Sequence, residues 1–97
     1  MRIISRKALK DYWENRPEAK DALCAWFAEA KAADWKTTAD VKAKYGSASI
    51  LKAGRAVFNI CGNKHRLVVR INYDFGTIYI RFVGTHKEYD EIDANTI

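Results

Sequence analysis

A chain of 97 residues has the size of one domain, so we expect residues 1–97 to form a single unit with a modest core. Hydrophobic residues make up 48% of the chain, which excludes an intrinsically disordered protein, and no apolar run approaches the ~20 residues of a membrane helix. The formal net charge of +5 favours an anionic partner, either nucleic acid or an acidic protein.

The N-terminal half predicts a short strand followed by helices. Met1 to Ile4 is an apolar edge strand, and Ser5 stands at the N-cap of a helix that begins at Arg6. A second helix follows Pro17, because proline is tolerated in a first turn. Its apolar stripe recurs at helical spacing, and we expect it to pack on a sheet: Ala19, Ala22, Leu23, Trp26, Phe27 and Ala30. Thr37 or Thr38 caps a short third helix that ends at Gly46.

The C-terminal half predicts an antiparallel meander. Three runs rich in β-formers lie near residues 55–61, 65–73 and 77–83, and the breaks between them contain Gly-Asn-Lys and Asp-Phe-Gly. Glycine and asparagine reach positive φ at low cost, which is the chemistry of hairpins. The order of elements therefore predicts an α+β fold, with the N-terminal helices packed on one face of a mostly antiparallel sheet.

Alternation along these strands assigns side chains to two faces. One face is apolar and is expected to be the core: Phe58, Ile60, Leu67, Val69, Ile71, Tyr73, Ile78, Ile80 and Phe82. The opposite face, here called the arginine face, carries Arg55, Arg66, Arg70 and Arg81. We expect the arginine face to be free of other elements, with the imidazole of His86 at its rim.

The arginine face has the residue types that metal-free RNA cleavage requires. His86 can act as base or acid, because an imidazole exchanges protons near neutral pH, and the sequence leaves open which of the two it is. Arg66 and Arg81 can donate paired, charge-assisted hydrogen bonds to phosphoryl oxygens. Tyr89 is placed to stack on a base or to orient a proton donor. The remaining cations are expected to hold the substrate: Arg55, Lys64, Arg70 and Lys87.

Simpler interpretations exist for the same residues. Arg81 can pair with Glu88 or Asp90, His86 can cap a short C-terminal turn, and Tyr89 can pack against the second helix. His65, beside a hairpin, is predicted to be a surface residue. The whole face can also serve as a non-catalytic module that binds RNA or a protein.

Neither a metal site nor a cofactor is predicted. The two cysteines, Cys24 and Cys61, have no neighbouring Cys or His at metal-ligand spacing. We interpret them as buried thiols of a reducing compartment. The N-terminus has no apolar core of a signal peptide, so the expected location is the cytoplasm.

Several segments resemble the HigB branch of the RelE-like toxins, and together they span nearly the whole chain. The most specific is Thr85 to Asp90 following Tyr79-Ile80-Arg81. The others are Ile3-Ile4, Lys7-Ala8-Leu9-Lys10-Asp11, Val57-Phe58-Asn59, Gly62-Asn63 and Arg66. The resemblance implies the RelE-like fold and a metal-independent endoribonuclease that cuts mRNA in the A site of the 30S ribosomal subunit.

The resemblance also implies particular residues and a partner. The family's arginine on the middle strand maps onto Arg66, and its polar residues after the last strand map onto His86 and Tyr89. The chain departs from the RelE pattern, since only His86 and Lys87 stand where several lysines and arginines are usual. The implied partner is a HigA-type helix-turn-helix antitoxin, whose complex with the toxin binds operator DNA. The antitoxin would dock either on the arginine face or on the helices.

Overall fold

A computed structural model describes residues 1–97. The protein consists of a five-stranded sheet with helices against one face. The elements are β1 (Arg2–Ile4), α1 (Arg6–Asn15), a 3-10 turn (Pro17–Ala19), α2 (Lys20–Ala32), α3 (Thr38–Lys44), β2 (Ser49–Ile50), β3 (Arg55–Ile60), β4 (His65–Asn72), β5 (Thr77–Thr85) and α4 (His86–Asp90). The strand order is β1-β5-β4-β3-β2, and only the β1–β5 pair is parallel. The predicted α+β class is confirmed.

The stripe of α2 and the apolar side of α1 form the core with the sheet. Leu23 and Trp26 of α2 are buried, and the Trp26 ring lies 5.4 Å from that of Phe58 on β3. Burying such a side chain stabilises the fold by about 1.5–3 kcal/mol. Thr37 caps α3 in a capping box with Asp40, whereas Ser5 stands at the N-cap of α1 without a side-chain hydrogen bond. None of these helices has the length and apolar character required to cross a membrane.

A β-bulge in β5 corrects one part of the predicted alternation. Val69 of β4 lies opposite Ile80, but the preceding residue, Val68, lies opposite Phe82. Arg81 is therefore an extra residue, and the strand changes phase after it. Phe82, which was expected in the core, instead packs on the arginine face with Val68.

The residues after α4 form a tail that covers the middle of the arginine face. Ala94 of this tail is buried against Val57 and Val68, and further apolar side chains pack around them: Leu51, Phe82, Tyr89, Ile92 and Ile97. The main-chain oxygen of Ile97 accepts hydrogen bonds from two arginine side chains. The expectation of a free arginine face is therefore wrong, because a second small core lies on it.

The cysteines are less buried than the sequence predicted. Cys24 and Cys61 are both free thiols of intermediate exposure. The Cys61 sulfur donates a weak hydrogen bond to the main-chain oxygen of Glu18, 3.6 Å away, so it links the β3–β4 hairpin to the turn before α2.

Candidate active site

A short helix places His86 at one end of the arginine face. The helix α4 begins at His86 because Thr85 and Glu88 form a capping box, with Thr85 Oγ1 accepting from the Glu88 amide at 3.1 Å and Glu88 Oε1 accepting from the Thr85 amide at 2.8 Å. The His86 amide donates to the main-chain oxygen of Lys64 at 3.0 Å. Both ends of this segment are thus held, and the His86 backbone is tied to the β3–β4 hairpin.

The side chains around His86 form a small polar site, here called the His86 site: Arg66, His86, Tyr89 and Asp90. His86 Nδ1 lies 3.2 Å from Asp90 Oδ2, one turn along α4, and the imidazole is about half exposed. The Arg66 guanidinium lies over the Tyr89 ring, with its central carbon 5.8 Å from the ring centroid. Arg66 also donates to the main-chain oxygen of Asn63 at 3.3 Å. The contacts join Arg66 to Tyr89 and His86 to Asp90, both on or beside α4, whereas Arg81 takes part in neither pair.

The simpler interpretations of these residues do not match the contacts. Tyr89 packs with the tail and not against α2. Asp90 pairs with His86, and Arg81 pairs with neither Glu88 nor Asp90 but donates to the oxygen of Ile97. His86 does not cap the C-terminal turn; it begins α4, and Thr85 is the residue that caps it.

The other arginines lie at the opposite end of the face. There a cavity of about 670 Å³, here called the arginine cleft, is lined among others by Thr38, Gly54, Arg70, Asp74, Tyr79 and Arg81. Arg70 is exposed and stands directly opposite Tyr79 on β5. Arg55 and Arg81 point their Nε atoms at the tail, and each donates to the oxygen of Ile97, at 3.0 and 3.3 Å. The tail thus separates Arg66, which lies over Tyr89, from the other three arginines. Arg81 lines the cleft together with Arg70.

No arginine of this protein forms an ion pair with an aspartate or glutamate side chain. Every ion pair in the structure uses a lysine or a histidine as its cation. The guanidinium groups instead face aromatic rings, main-chain oxygens or solvent. The face therefore keeps its positive potential available for an anionic ligand. Lys64 and Lys87 are exposed on the two segments that hold His86, the hairpin and α4.

His65 is not the surface residue that its place beside a hairpin predicted. The residue is 2% exposed, and its Nδ1 lies 2.6 Å from the hydroxyl oxygen of Tyr12 on α1. Its Nε2 lies 3.5 Å from a carboxylate oxygen of Glu18 without the alignment of a hydrogen bond. The sequence contained a signal for this burial. The His65 side chain points to the same face of β4 as those of Leu67 and Val69, because alternate residues of a strand share a face.

Two further features were missed by the sequence reasoning. Asp90 orients His86, and its position four residues later in a helix was the available signal. No local sequence pattern indicated the arginine cleft, because its walls come from separate segments: α3, the turn before β3 and the β4–β5 hairpin. No group of three Cys, His, Asp or Glu side chains is arranged to hold a metal ion.

Known proteins match this chain over most of its length. Residues 19–92 match the family model HigB_toxin, described as a RelE-like toxic component of a toxin–antitoxin system. The chain is 37% identical over 96 residues to the mRNA interferase toxin HigB of Escherichia coli K12, which covers 97% of this chain and 92% of that protein. The mRNA interferases HigB of Escherichia coli O157:H7 and Shigella flexneri match with the same identity and coverage. The chain belongs to the HigB family of RelE-like toxins.

Proposed function

We propose that this protein is the toxin of a toxin–antitoxin pair and cleaves mRNA as an endoribonuclease. The observation that carries this proposal is the His86 site beside a set of arginines that pair with no Asp or Glu side chain. A phosphodiester is an anion that becomes more charged as it reacts, so guanidinium groups stabilise its transition state more than its ground state. The names of the similar HigB proteins agree with this activity.

In the proposed reaction, the 2′-oxygen of the RNA attacks the adjacent phosphorus. A base removes the proton of the 2′-hydroxyl, the bond from O2′ to phosphorus forms, and the bond from phosphorus to the 5′-oxygen breaks while an acid protonates that oxygen. Asp90 Oδ2 lies 3.2 Å from Nδ1 of His86, so Nε2 is the ring nitrogen that stays available to the substrate. His86 would be the base when Nε2 carries no proton and the acid when it does. The imidazole thus supplies one of the two proton transfers without a metal ion or cofactor, and a water molecule can exchange the other proton.

The arginines and Tyr89 would hold the reacting phosphate and the strand on either side of it. Arg66 would donate to the phosphoryl oxygens, while Tyr89 supports its guanidinium from below. Arg81, predicted to act at the same phosphate, would contact a neighbouring one from the arginine cleft. The other cations would bind flanking phosphates: Arg55, Lys64, Arg70 and Lys87.

The wider setting follows the resemblance to the family. We propose that residues 1–97 act as a single domain in the cytoplasm, on mRNA in the A site of the 30S subunit, where the ribosome helps to position the strand. A HigA-type helix-turn-helix antitoxin would neutralise the toxin, and their complex would bind operator DNA through the antitoxin. Docking on the arginine face would cover the site, whereas docking on the helices would block entry into the ribosome.

Cleavage of ribosome-bound mRNA tests the proposal. The wild-type protein is expected to cut mRNA on purified, programmed ribosomes, and the double variant His86→Ala, Arg66→Ala is expected to lose at least about 100-fold in rate. Lys20→Ala, an exposed change on α2, is the control and should cut like the wild type. Equal cleavage by the double variant and the wild type would contradict the assignment.

A non-catalytic binder is the second candidate, favoured by the split between the arginine cleft and the His86 site. Unpaired arginines and an exposed Tyr79 are sufficient to bind RNA without cutting it. Expression of the protein alone in bacteria separates the two. Growth arrest that disappears with His86→Ala supports the enzyme, and absence of arrest supports the binder.

A further inference from the structure

The arginine cleft is too far from the His86 site to bind the same phosphate. Arg66 and Arg70 point to the same face of β4 and are four residues apart, which corresponds to about 13 Å along a strand. Between them, Val68 is covered by the tail. An anion in the cleft is therefore a different part of the ligand from the one beside His86.

We propose, on the basis of the mRNA cleavage proposed above, that the arginine cleft is a second RNA subsite that holds one nucleotide of the same strand away from the cut bond. The cavity volume of about 670 Å³ lies within the range of about 300–1,000 Å³ that small-molecule sites have. One nucleotide fits such a space, whereas a folded RNA element does not.

Phosphate and base would bind to different walls of the cleft. Arg70 is exposed and has no carboxylate within ion-pair distance, and Arg81 uses its Nε for the tail, which leaves its terminal nitrogens for an anion. Tyr79, opposite Arg70 in the register, is 38% exposed, so its ring offers a face on which a base can stack. A nucleotide has both a phosphate for the cation and a base for the aromatic ring. It therefore fits this cleft better than an inorganic anion does.

The wall opposite Tyr79 is held in place by the backbone. Ala53 and Gly54 both have positive φ, at 57° and 76°, and the Gly54 oxygen accepts from the Ile71 amide at 2.8 Å. A Cβ at Gly54 would lie 2.5 Å from the Ile71 oxygen, so only glycine permits this approach. The cleft is consequently formed before any ligand binds, which lowers the entropic cost of binding.

Asp74 would read the edge of the base. Of the polar side chains that line the cleft, Asn72 is already engaged, because its Oδ1 accepts from the Phe75 amide at 3.2 Å. The Asp74 carboxylate has no partner in the structure and can only accept hydrogen bonds. The cleft is therefore expected to prefer bases with an exocyclic amino group over uracil.

Binding of single-stranded RNA octamers tests the subsite without relying on cleavage. In a His86→Ala background, fluorescence anisotropy with octa-adenylate should show Tyr79→Ala and Arg70→Ala weakening binding about 5- to 100-fold each, while Tyr79→Phe retains most of the affinity. Arg2→Ala on the exposed edge strand β1 is the matched charge control and should bind as tightly as the parent.

Two outcomes would overturn the subsite, and both are independent of catalysis. One is octamer binding that is unchanged by Tyr79→Ala and Arg70→Ala, even if the wild-type protein cuts mRNA. The other is a loss of affinity in the Arg2→Ala control equal to that in Arg70→Ala, which would mean that net charge alone binds RNA. For the base preference, Asp74→Asn should reduce the ratio of octa-adenylate to octa-uridylate affinity, and an unchanged ratio would remove Asp74 from the subsite.

Discussion

At the scale of single residues, the half-buried Tyr12 and the buried His65 form a pair beside the strand end from which α4 starts. The Tyr12 oxygen and His65 Nδ1 are 2.6 Å apart, and the two rings meet edge to face at 5.5 Å. Burial and the nearby Glu88 carboxylate raise the pKa of Tyr12, so the phenol keeps its proton at neutral pH. His65 stands opposite Thr85, which caps α4. The pair therefore links α1 to the strand ends from which His86 extends.

Removal of this hydroxyl should loosen the site. We expect Tyr12→Phe to destabilise the protein by about 1–3 kcal/mol, because it leaves a buried imidazole nitrogen unpaired. Hydrogen exchange of the His86 amide should become faster, and cleavage slower. Tyr45→Phe is the matched control, since it removes an exposed hydroxyl bond to Glu29 on another side of the molecule. Urea unfolding and amide exchange measure both effects, and equal changes in the two variants would contradict a specific role for Tyr12.

At the scale of elements, α4 depends on its cap. Five residues are too few for an isolated helix, so the capping box of Thr85 and Glu88 and the bond from His86 to the hairpin keep it in place. Gly84 allows the close approach of α4 to β5, because a Cβ there would lie 3.2 Å from the Glu88 Cβ and closer still to the Phe82 ring. The hydrogen bond from the Thr85 amide lowers the pKa of Glu88 below its ordinary value of 4.5.

This lowered pKa predicts a pH-dependent contribution of Glu88 to stability. A carboxylate whose folded pKa is depressed stabilises the fold above its unfolded pKa and loses that effect as the pH falls through the folded pKa. Wild type is therefore expected to be more stable than Glu88→Gln by about 0.3–1 kcal/mol at pH 7, with the difference shrinking below about pH 4.5. Urea unfolding at pH 7 and pH 3 measures it. A difference that stays constant between these pH values would show that charge is not the cause.

At the scale of the whole molecule, the tail divides a basic surface into two sites. Its apolar residues cover Val57 and Val68 and pack against Phe82, and the oxygen of Ile97 accepts from Arg55 and from Arg81, which lines the cleft. Four arginines, Arg55, Arg66, Arg70 and Arg81, thus lie on one face, and none of them pairs with an Asp or Glu side chain. A single RNA strand that crosses the arginine face would contact cations at one end, then the tail, and then cations at the other end.

This arrangement predicts how salt affects RNA binding. Each arginine that neutralises a phosphate releases counterions, so the affinity of the His86→Ala protein for octa-adenylate should fall as a power of the salt concentration. Arg70→Ala should make the slope of log affinity against log salt less steep by about 1, whereas Arg2→Ala should leave it unchanged. Anisotropy titrations between low and physiological salt give these slopes. The same slope in all three proteins would contradict direct phosphate contact by Arg70.

Local pattern alone determined much of this protein. The period of two in β3 and β4, the helical stripe of α2 and a cap at Thr37 or Thr38 were readable, because each depends on neighbours within a few residues. The placement of Arg66, His86 and Tyr89 on one face followed from the same alternation together with the resemblance to the family.

Only the tertiary structure decided which groups meet. The bulge at Arg81 shifts the phase of β5 by one residue, which moves Phe82 to the other face although the local sequence alternates regularly. His65 is buried because Tyr12, 53 residues earlier, supplies its hydrogen bond. The tail has no periodicity, so nothing local indicated that it would cover the sheet. Sequence alternation assigns a side chain to a face, but contacts between distant segments determine whether that face is open.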